Sequence, residues 1–137
     1  MVSLETLTFK QRHKYNTEDG IQVVVDLRTG RAGPIRTRAK IDTGAARCIF
    51  RREHAEALEI VVEDGELVRF RTATGSFEAY GHTVTLSCLD LEFDALVFFT
   101  RDYDFPRQVL GLQGWLDKLR LGLVHHDELL FLSQFDD

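Results

Sequence analysis

The sequence is poor in residues that cross-link a chain or interrupt its regular structure. Its 137 residues include two cysteines and two prolines. Two cysteines are too few for a disulfide-stabilised scaffold, and both Cys48 and Cys88 have apolar neighbours, so we expect reduced, buried thiols. No histidine near Cys48 in the sequence is placed to activate it, which argues against a thiol nucleophile.

The chain also lacks any apolar run long enough to cross a membrane. Residues 1–6 have neither the basic nor the apolar region of a signal peptide, so we expect a cytoplasmic protein without a membrane partner. The net charge of −5 argues against nucleic acid as the main partner, because acidic residues surround the basic stretches at residues 10–14 and 28–40.

Length and composition predict a single folded domain. A chain of 137 residues can bury a core but is too short for a second independent domain. Its 44% hydrophobic and 28% charged residues are typical of globular proteins and exclude a disordered chain.

The most informative motif is Asp42-Thr43-Gly44-Ala45, which occurs once. It follows Ile35–Ile41, in which apolar or small residues alternate with arginine and lysine, the pattern of a half-buried strand. We therefore expect a strand that delivers Asp42 to its end. A tight turn should follow, because glycine permits close folding and a threonine hydroxyl can bond backbone amides. Such a turn holds a carboxylate in one orientation.

Two later features complete a pattern with this motif. A hairpin is predicted from strands at residues 67–73 and 77–86, with its tip at Thr74, Gly75 and Ser76. Val109, Leu110 and Gly111 then precede residues 112–119, which have helical spacing.

The remaining segments predict short strands and one further helix. The helix is expected at residues 51–58, with Ala55 and Leu58 facing inward. Strands are expected at residues 21–25, 48–50, 93–100, 121–124 and 129–132, with residues 4–9 forming a first strand or an arm. Many short strands with few helices predict a mostly antiparallel β-barrel or sandwich.

A carboxylate turn, a glycine-tipped hairpin and an apolar-apolar-glycine strand before a short helix occur in this order in retropepsin-like aspartic proteases. The sequence resembles that family over residues 20–132. The resemblance implies a mostly β, retropepsin-like acid-protease barrel with a flap hairpin and one or two short helices. It assigns this domain to residues 20–137, after an N-terminal arm or strand at residues 1–19, and implies no metal or organic cofactor.

The resemblance also assigns site residues. Asp42 corresponds to the catalytic aspartate, Thr43 and Gly44 to the turn that interlocks two loops across a dimer, and Ala45 to a position near the substrate backbone. Four residues correspond to the flap that closes over a bound peptide, namely Thr74, Gly75, Ser76 and Phe77. Val109, Leu110 and Gly111 correspond to the segment that packs beside the catalytic loop.

Peptide hydrolysis by carboxylates needs two of them facing one water, one to accept its proton and one to donate to the carbonyl. The chain has a single Asp-Thr-Gly, so a second chain must supply the partner. The leading prediction is an aspartic endopeptidase, active as a homodimer on extended peptide or protein substrates, with paired Asp42 carboxylates.

Departures from the viral pattern leave alternatives. Viral members pair an acidic residue after the motif with an arginine after the later glycine, whereas this chain has Ala46-Arg47 and Leu112-Gln113 there. The first alternative is therefore a non-catalytic dimerisation or peptide-binding module on the same fold. The second is an unrelated β-barrel that binds a small ligand.

Other conspicuous residues have simpler interpretations. His125, His126 and Asp127 are adjacent, so their side chains point apart, and an exposed turn is favoured over a metal site. Tyr80, just after the hairpin tip, is a candidate substrate-facing aromatic.

Overall fold

The computed structural model describes residues 3–16, 18 and 20–137. These residues form ten strands, one α-helix and three 3₁₀ helices. The strands are β1 (Gln11–Lys14), β2 (Gln22–Arg28), β3 (Ile35–Ile41), β4 (Ile49–Phe50), β5 (Glu66–Thr72), β6 (Gly75–Cys88), β7 (Leu91–Thr100), β8 (Val109–Leu110), β9 (Leu119–Val124) and β10 (Leu129–Gln134). The helix α1 covers Arg52–Ala57, and the 3₁₀ helices cover Val62–Asp64, Leu116–Lys118 and His125–Asp127.

The larger sheet closes into a barrel. Its seven strands follow the order β2-β3-β8-β4-β7-β6-β5, and β2 also pairs with β6. Closure is possible because β6 has 14 residues, so its far end reaches β2 while its near end pairs with β5. The smaller sheet has the order β1-β10-β9. The described helices include none long and apolar enough to span a membrane.

The barrel interior is filled by alternate residues of the strands. In β2, for example, Val23, Val25 and Leu27 are buried while Val24 is 43% exposed. The largest side chains of the interior are fully buried, and they include Trp115, Phe50 and Phe99. Alternation thus places one face of each strand in the core, as the sequence pattern indicates.

Most predicted elements are confirmed. Strand β3 has the predicted bounds, Ile35–Ile41. The helix predicted at residues 51–58 covers Arg52–Ala57, and Ala55 and Leu58 are buried as expected. The predicted closing hairpin is formed by β9 and β10.

The helix predicted at residues 112–119 is wrong for most of its length. Only Leu116–Lys118 is helical, as a 3₁₀ turn, and Leu119 already begins β9. Gly114 has φ +107°, which a continuous α-helix does not allow, and its N–H donates to the Asp117 carboxylate at 3.1 Å.

The predicted hairpin tip is shifted along the chain, and residues 4–9 take one of the two forms predicted for them. The hairpin tip consists of Ala73 and Thr74, because Thr72 pairs with Gly75, so Gly75 and Ser76 already belong to β6. Residues 4–9 form no strand and are an arm, whereas the first strand is Gln11–Lys14. The arm directly precedes β1, which pairs with β10. The arm therefore lies next to β10, and the ring centroids of Phe9 and Phe131 are 5.9 Å apart.

Phe50 offers a test of the core. It is fully buried at the end of the two-residue strand β4, against Phe99. We expect Phe50→Ala to lower the free energy of unfolding by about 3–5 kcal/mol, because it removes buried area and leaves a cavity. Val61→Ala, at a side chain that is 63% exposed, should change it by less than about 0.5 kcal/mol. Urea unfolding at matched protein concentration measures both, and equal effects would contradict this core assignment.

Candidate active site

Asp42 stands at the end of β3, where the backbone is fixed by a strand from a distant part of the chain. Strand β3 pairs in parallel with β8, so that Lys40 lies opposite Val109 and Ile41 opposite Leu110. The Asp42 N–H continues this ladder by donating to the Leu110 carbonyl at 3.0 Å. The position of Asp42 therefore depends on β8 as much as on β3.

The turn after Asp42 orients its carboxylate. The Gly44 N–H donates to Asp42 Oδ1 at 2.9 Å, and the Ala45 N–H donates to the Asp42 carbonyl at 3.2 Å. This is the tight turn that the sequence predicts. The Thr43 side chain is exposed and makes no hydrogen bond within the described chain, so the predicted threonine bond to a nearby amide is absent there.

Gly111 allows the backbone that follows β8 to pack closely against the Asp42 loop (residues 42–48). The Leu112 and Gln113 N–H groups donate to the Ala45 and Ala46 carbonyls at 2.8 and 2.9 Å. A Cβ at Gly111 would lie 2.3 Å from the Arg47 carbonyl oxygen, so only glycine permits this approach. The residues Val109, Leu110 and Gly111 thus pack beside the loop, as the resemblance implies.

A cleft of about 600 Å³ opens between the Asp42 loop and the β5–β6 hairpin. Asp42, Gly44 and Ala45 line its floor, and Thr72 and Ala73 of the hairpin line the opposite side. Phe70, Phe77 and Phe105 form an aromatic wall, with ring centroids 5.2 Å apart for Phe70 and Phe77 and 4.5 Å for Phe77 and Phe105. A cleft of this size with an apolar wall and a few polar groups has the features of a ligand-binding site.

The sequence-predicted site residues are only partly brought together. Asp42, Gly44, Ala45 and Phe77 line the cleft, and exposed Thr43 adjoins it. The remaining flap candidates, Thr74, Gly75 and Ser76, are exposed at the hairpin tip or in the first residues of β6, and they are not among the described residues that line the cleft. Tyr80 packs against the main core, so it is not substrate-facing in this structure.

Several cleft residues were missed by the sequence reasoning. Phe70 and the flanking Arg69 and Arg71 lie in the predicted hairpin, and their aromatic-basic alternation was an available signal. Phe105 and Arg107 come from the loop at residues 101–108, which no motif distinguished.

The loop that carries Phe105 is anchored to α1. The Arg52 guanidinium lies 4.7 Å from the Tyr103 ring centroid, and it donates to both Glu63 carboxylate oxygens at 2.9 and 3.2 Å. The Tyr103 hydroxyl donates to Glu56 at 2.6 Å, and this bond raises the pKa of Tyr103. The bonds to Arg52 lower the pKa of the Glu63 carboxyl. One arginine thus joins α1, the 3₁₀ turn at Val62–Asp64 and the wall of the cleft.

Other chemistry is less compatible with the structure. Cys48 is buried, and burial raises the pKa of its thiol to about 11, so it is not a thiolate at neutral pH. Cys88 is likewise a free, buried thiol. His125, His126 and Asp127 form an exposed turn, as predicted. Within the described residues, no group of three or more His, Cys, Asp or Glu side chains is arranged to hold a metal ion.

Comparison with protein families matches residues 23–113 to a family described as aspartyl protease. That span covers both the Asp42 loop and Gly111. A comparison with curated proteins finds no significant match.

Two solved structures share the fold. A retropepsin-like aspartic protease from Rickettsia conorii has a TM-score of 0.64 at 16% identity, covering 90% of this chain and 97% of that one. The EIAV protease complexed with the inhibitor HBY-793 has a TM-score of 0.52 at 19% identity, covering 72% of this chain and 88% of that one. The retropepsin-like fold predicted from the sequence is confirmed, and the unrelated β-barrel is wrong.

Gly111→Ala tests the packing behind the loop. The added Cβ would lie 2.3 and 2.6 Å from the Arg47 and Ala45 carbonyl oxygens, and a shift of the Ala45 carbonyl would weaken its bond from the Leu112 N–H. We expect unfolding free energy to fall by about 2–4 kcal/mol, from overpacking and weakened backbone bonds. Gly30→Ala is the matched control, because a Cβ there meets nothing within 4 Å, and its effect should stay below about 1 kcal/mol. Thermal unfolding at equal concentration compares them, and an unchanged midpoint for Gly111→Ala would contradict the proposed close contact.

Proposed function

The chain belongs to the aspartyl protease family, and on that premise we propose that it is an endopeptidase that uses Asp42 from each of two identical subunits. The observation that carries the proposal is the fixed Asp42 carboxylate, which the Gly44 N–H orients at the floor of an open cleft. A half-buried carboxylate held in this way is suited to activating a water molecule.

Two identical chains are required because the sequence has one Asp-Thr-Gly. A twofold axis next to the exposed Thr43 and Gly44 brings the two Asp42 carboxylates face to face. Two carboxylates this close cannot both ionise, so they share one proton, an arrangement for which aspartic proteases are the standard example. The exposed Thr43 hydroxyl, unbonded within the described chain, is then available to the partner loop.

The shared proton gives each carboxylate a separate role. The ionised Asp42 accepts a proton from water as the water oxygen bonds to the peptide carbon, and the protonated partner donates to the carbonyl oxygen. The Asp42 carboxyl that took the water proton then donates it to the leaving nitrogen while its ionised partner accepts a hydroxyl proton of the tetrahedral intermediate, and the C–N bond breaks. The Gly44 N–H keeps one carboxylate oxygen oriented throughout.

The β5–β6 hairpin is proposed to act as the flap. Thr74, Gly75 and Ser76 are exposed and directly follow Ala73, which lines the cleft, so closure over a bound peptide would bring these residues inward. Phe77 lies at the root of the tip and contacts Phe105 across the cleft wall. Ala45, on the floor, is proposed to contact the substrate backbone.

The arm is proposed to contribute to the dimer. Strand β10 is paired on both sides, by β1 and β9, so residues 129–132 have no unpaired strand edge to offer a partner. Leu4 and Leu7 of the arm are 91% and 63% exposed, and burying them against a second subunit would remove apolar surface from water.

Asp42→Asn tests the catalytic role. We expect cleavage of an unbiased peptide library to fall below about 1% of wild type, because the amide cannot accept the proton of water. Asp90→Asn, at an exposed aspartate on the β6–β7 turn, should retain activity. In equal mixtures, after subunit exchange, cleavage per wild-type chain should fall to about half, because mixed dimers have one carboxylate.

Two outcomes would contradict this mechanism. Full hydrolysis by Asp42→Asn would exclude Asp42 as the catalytic group. Peptide binding by a confirmed wild-type dimer without turnover at any pH would instead support the non-catalytic binding module.

The paired variant Leu4→Ser/Leu7→Ser tests the arm. Both side chains are exposed in one chain, so the fold should persist while the dimer dissociation constant rises by about tenfold or more. Val61→Ser is the control, because Val61 is also 63% exposed but lies outside the arm. Sedimentation equilibrium measures both, and an unchanged dissociation constant would exclude the arm from the interface.

A further inference from the structure

The cleft is positively charged, although the whole chain has a net charge of −5. Four arginines line it, namely Arg47, Arg69, Arg71 and Arg107. Among the described residues that line the cleft, Asp42 is the one carboxylate. The charge of the cleft is therefore opposite in sign to that of the protein.

Three of the four arginines have no carboxylate partner in the described chain. Arg71 and Arg107 are exposed, and their guanidinium groups form no hydrogen bond or ion pair there. The Arg47 guanidinium lies 5.4 Å from the centroid of the Phe98 ring, which positions it without neutralising its charge. Arg69 is different, because Glu78 lies 3.9 Å away.

Of the nine arginines outside the cleft, four have a carboxylate partner among the described residues. Arg36 bonds Asp26 through two nitrogens, Arg52 bonds Glu63, and Arg101 bonds Glu78 at 2.9 Å. Unpaired guanidinium groups on two sides of one cleft are suited to carboxylate ligands, which they can bind through two parallel hydrogen bonds.

The positive surface continues past Asp42. A second cavity of about 790 Å³ shares Asp42, Arg107 and Val109 with the cleft. It adds Arg38, Lys40 and Arg51, and its described lining also contains no carboxylate except Asp42. A peptide that extends in either direction from Asp42 therefore meets cationic side chains.

We propose that this cleft selects acidic peptides, in which Asp or Glu residues flank an apolar residue. This inference rests on the proposed peptidase function. The aromatic wall takes the apolar side chain, and Arg47, Arg71 and Arg107 pair with the flanking carboxylates. The acidic residues lie off the scissile bond, because the Asp42 pair carries negative charge and repels a carboxylate directly beside it.

The test uses twin peptides as probes. Short fluorogenic peptides with a central Phe-Leu carry one Glu at each flanking position in turn, and each has a twin with Gln in its place. At the favoured positions we expect kcat/KM to be about 2- to 5-fold higher for the Glu peptide, the range of an exposed ion pair. Salt from about 0.05 to about 0.5 M should shrink this ratio towards one, because screening weakens exposed charges.

Matched variants assign the preference to the cleft. Arg71→Gln/Arg107→Gln should lower the Glu-to-Gln ratio at the positions where the wild type prefers Glu, because two of the three unpaired arginines of the cleft are removed. Arg31→Gln removes the same charge from an exposed position in the β2–β3 turn, outside the cleft, and should leave the ratio unchanged. A ratio that falls equally in both variants would show that overall charge, and not the cleft, sets the preference.

Binding to the Asp42→Asn variant separates this inference from the proposed function. Fluorescence anisotropy with labelled twins should show tighter binding of the Glu peptide, whether or not the wild type cleaves it. Charge-selective binding without wild-type cleavage would overturn the peptidase and keep the ligand class. Cleavage of both twins at equal rates, with equal binding, would keep the peptidase and overturn the acidic preference.

Discussion

The parallel pairing of β3 with β8 brings two distant parts of the chain into contact at the functional site. Asp42 continues the ladder through its bond to the Leu110 carbonyl, and Gly111 then allows the following backbone to bond the Asp42 loop. The Gly44 N–H orients the carboxylate locally, and the bonds to β8 and to the backbone after Gly111 fix the position of the loop that carries it. The cleft, the β5–β6 hairpin and the arginines that line the cleft are all arranged around this contact.

A second, smaller cluster of buried apolar residues packs beside the cleft. Ile49, Ala79, Phe98 and Val109 are buried together, and they join the Asp42 loop to the root of the hairpin. Phe98 also provides the ring beneath Arg47, so an apolar contact fixes a charged side chain at the rim. Cationic groups can remain without carboxylate partners there because they stay hydrated at the surface, where the cost of an unpaired charge is low.

Local patterns could be predicted from the residues themselves, whereas the long-range contact of Gly111 with the Asp42 loop could be predicted only through the family resemblance. Alternation located β3, and the turn chemistry of Gly44 located the oriented carboxylate. The predicted helix after Gly111 failed because helical spacing of Leu112, Trp115 and Leu119 cannot show that Gly114 turns the chain. Arg47, Arg71 and Arg107 come from three separate segments, so no window of sequence contains the charged cleft that they form.

Strand β6 has different pairing partners along its length. From Ala79 to Cys88 it is held by β7 on one side, and at its far end also by β2. Between Gly75 and Glu78 it pairs with β5 alone, so the hairpin projects from the barrel as two paired strands. The Phe77 and Phe105 rings join this hairpin to the loop at residues 101–108, and the Phe70 ring lies against Phe98 of β7. Displacement of the hairpin would separate both ring pairs and break the bond between Arg101 and Glu78, so aromatic and ionic contacts together oppose it.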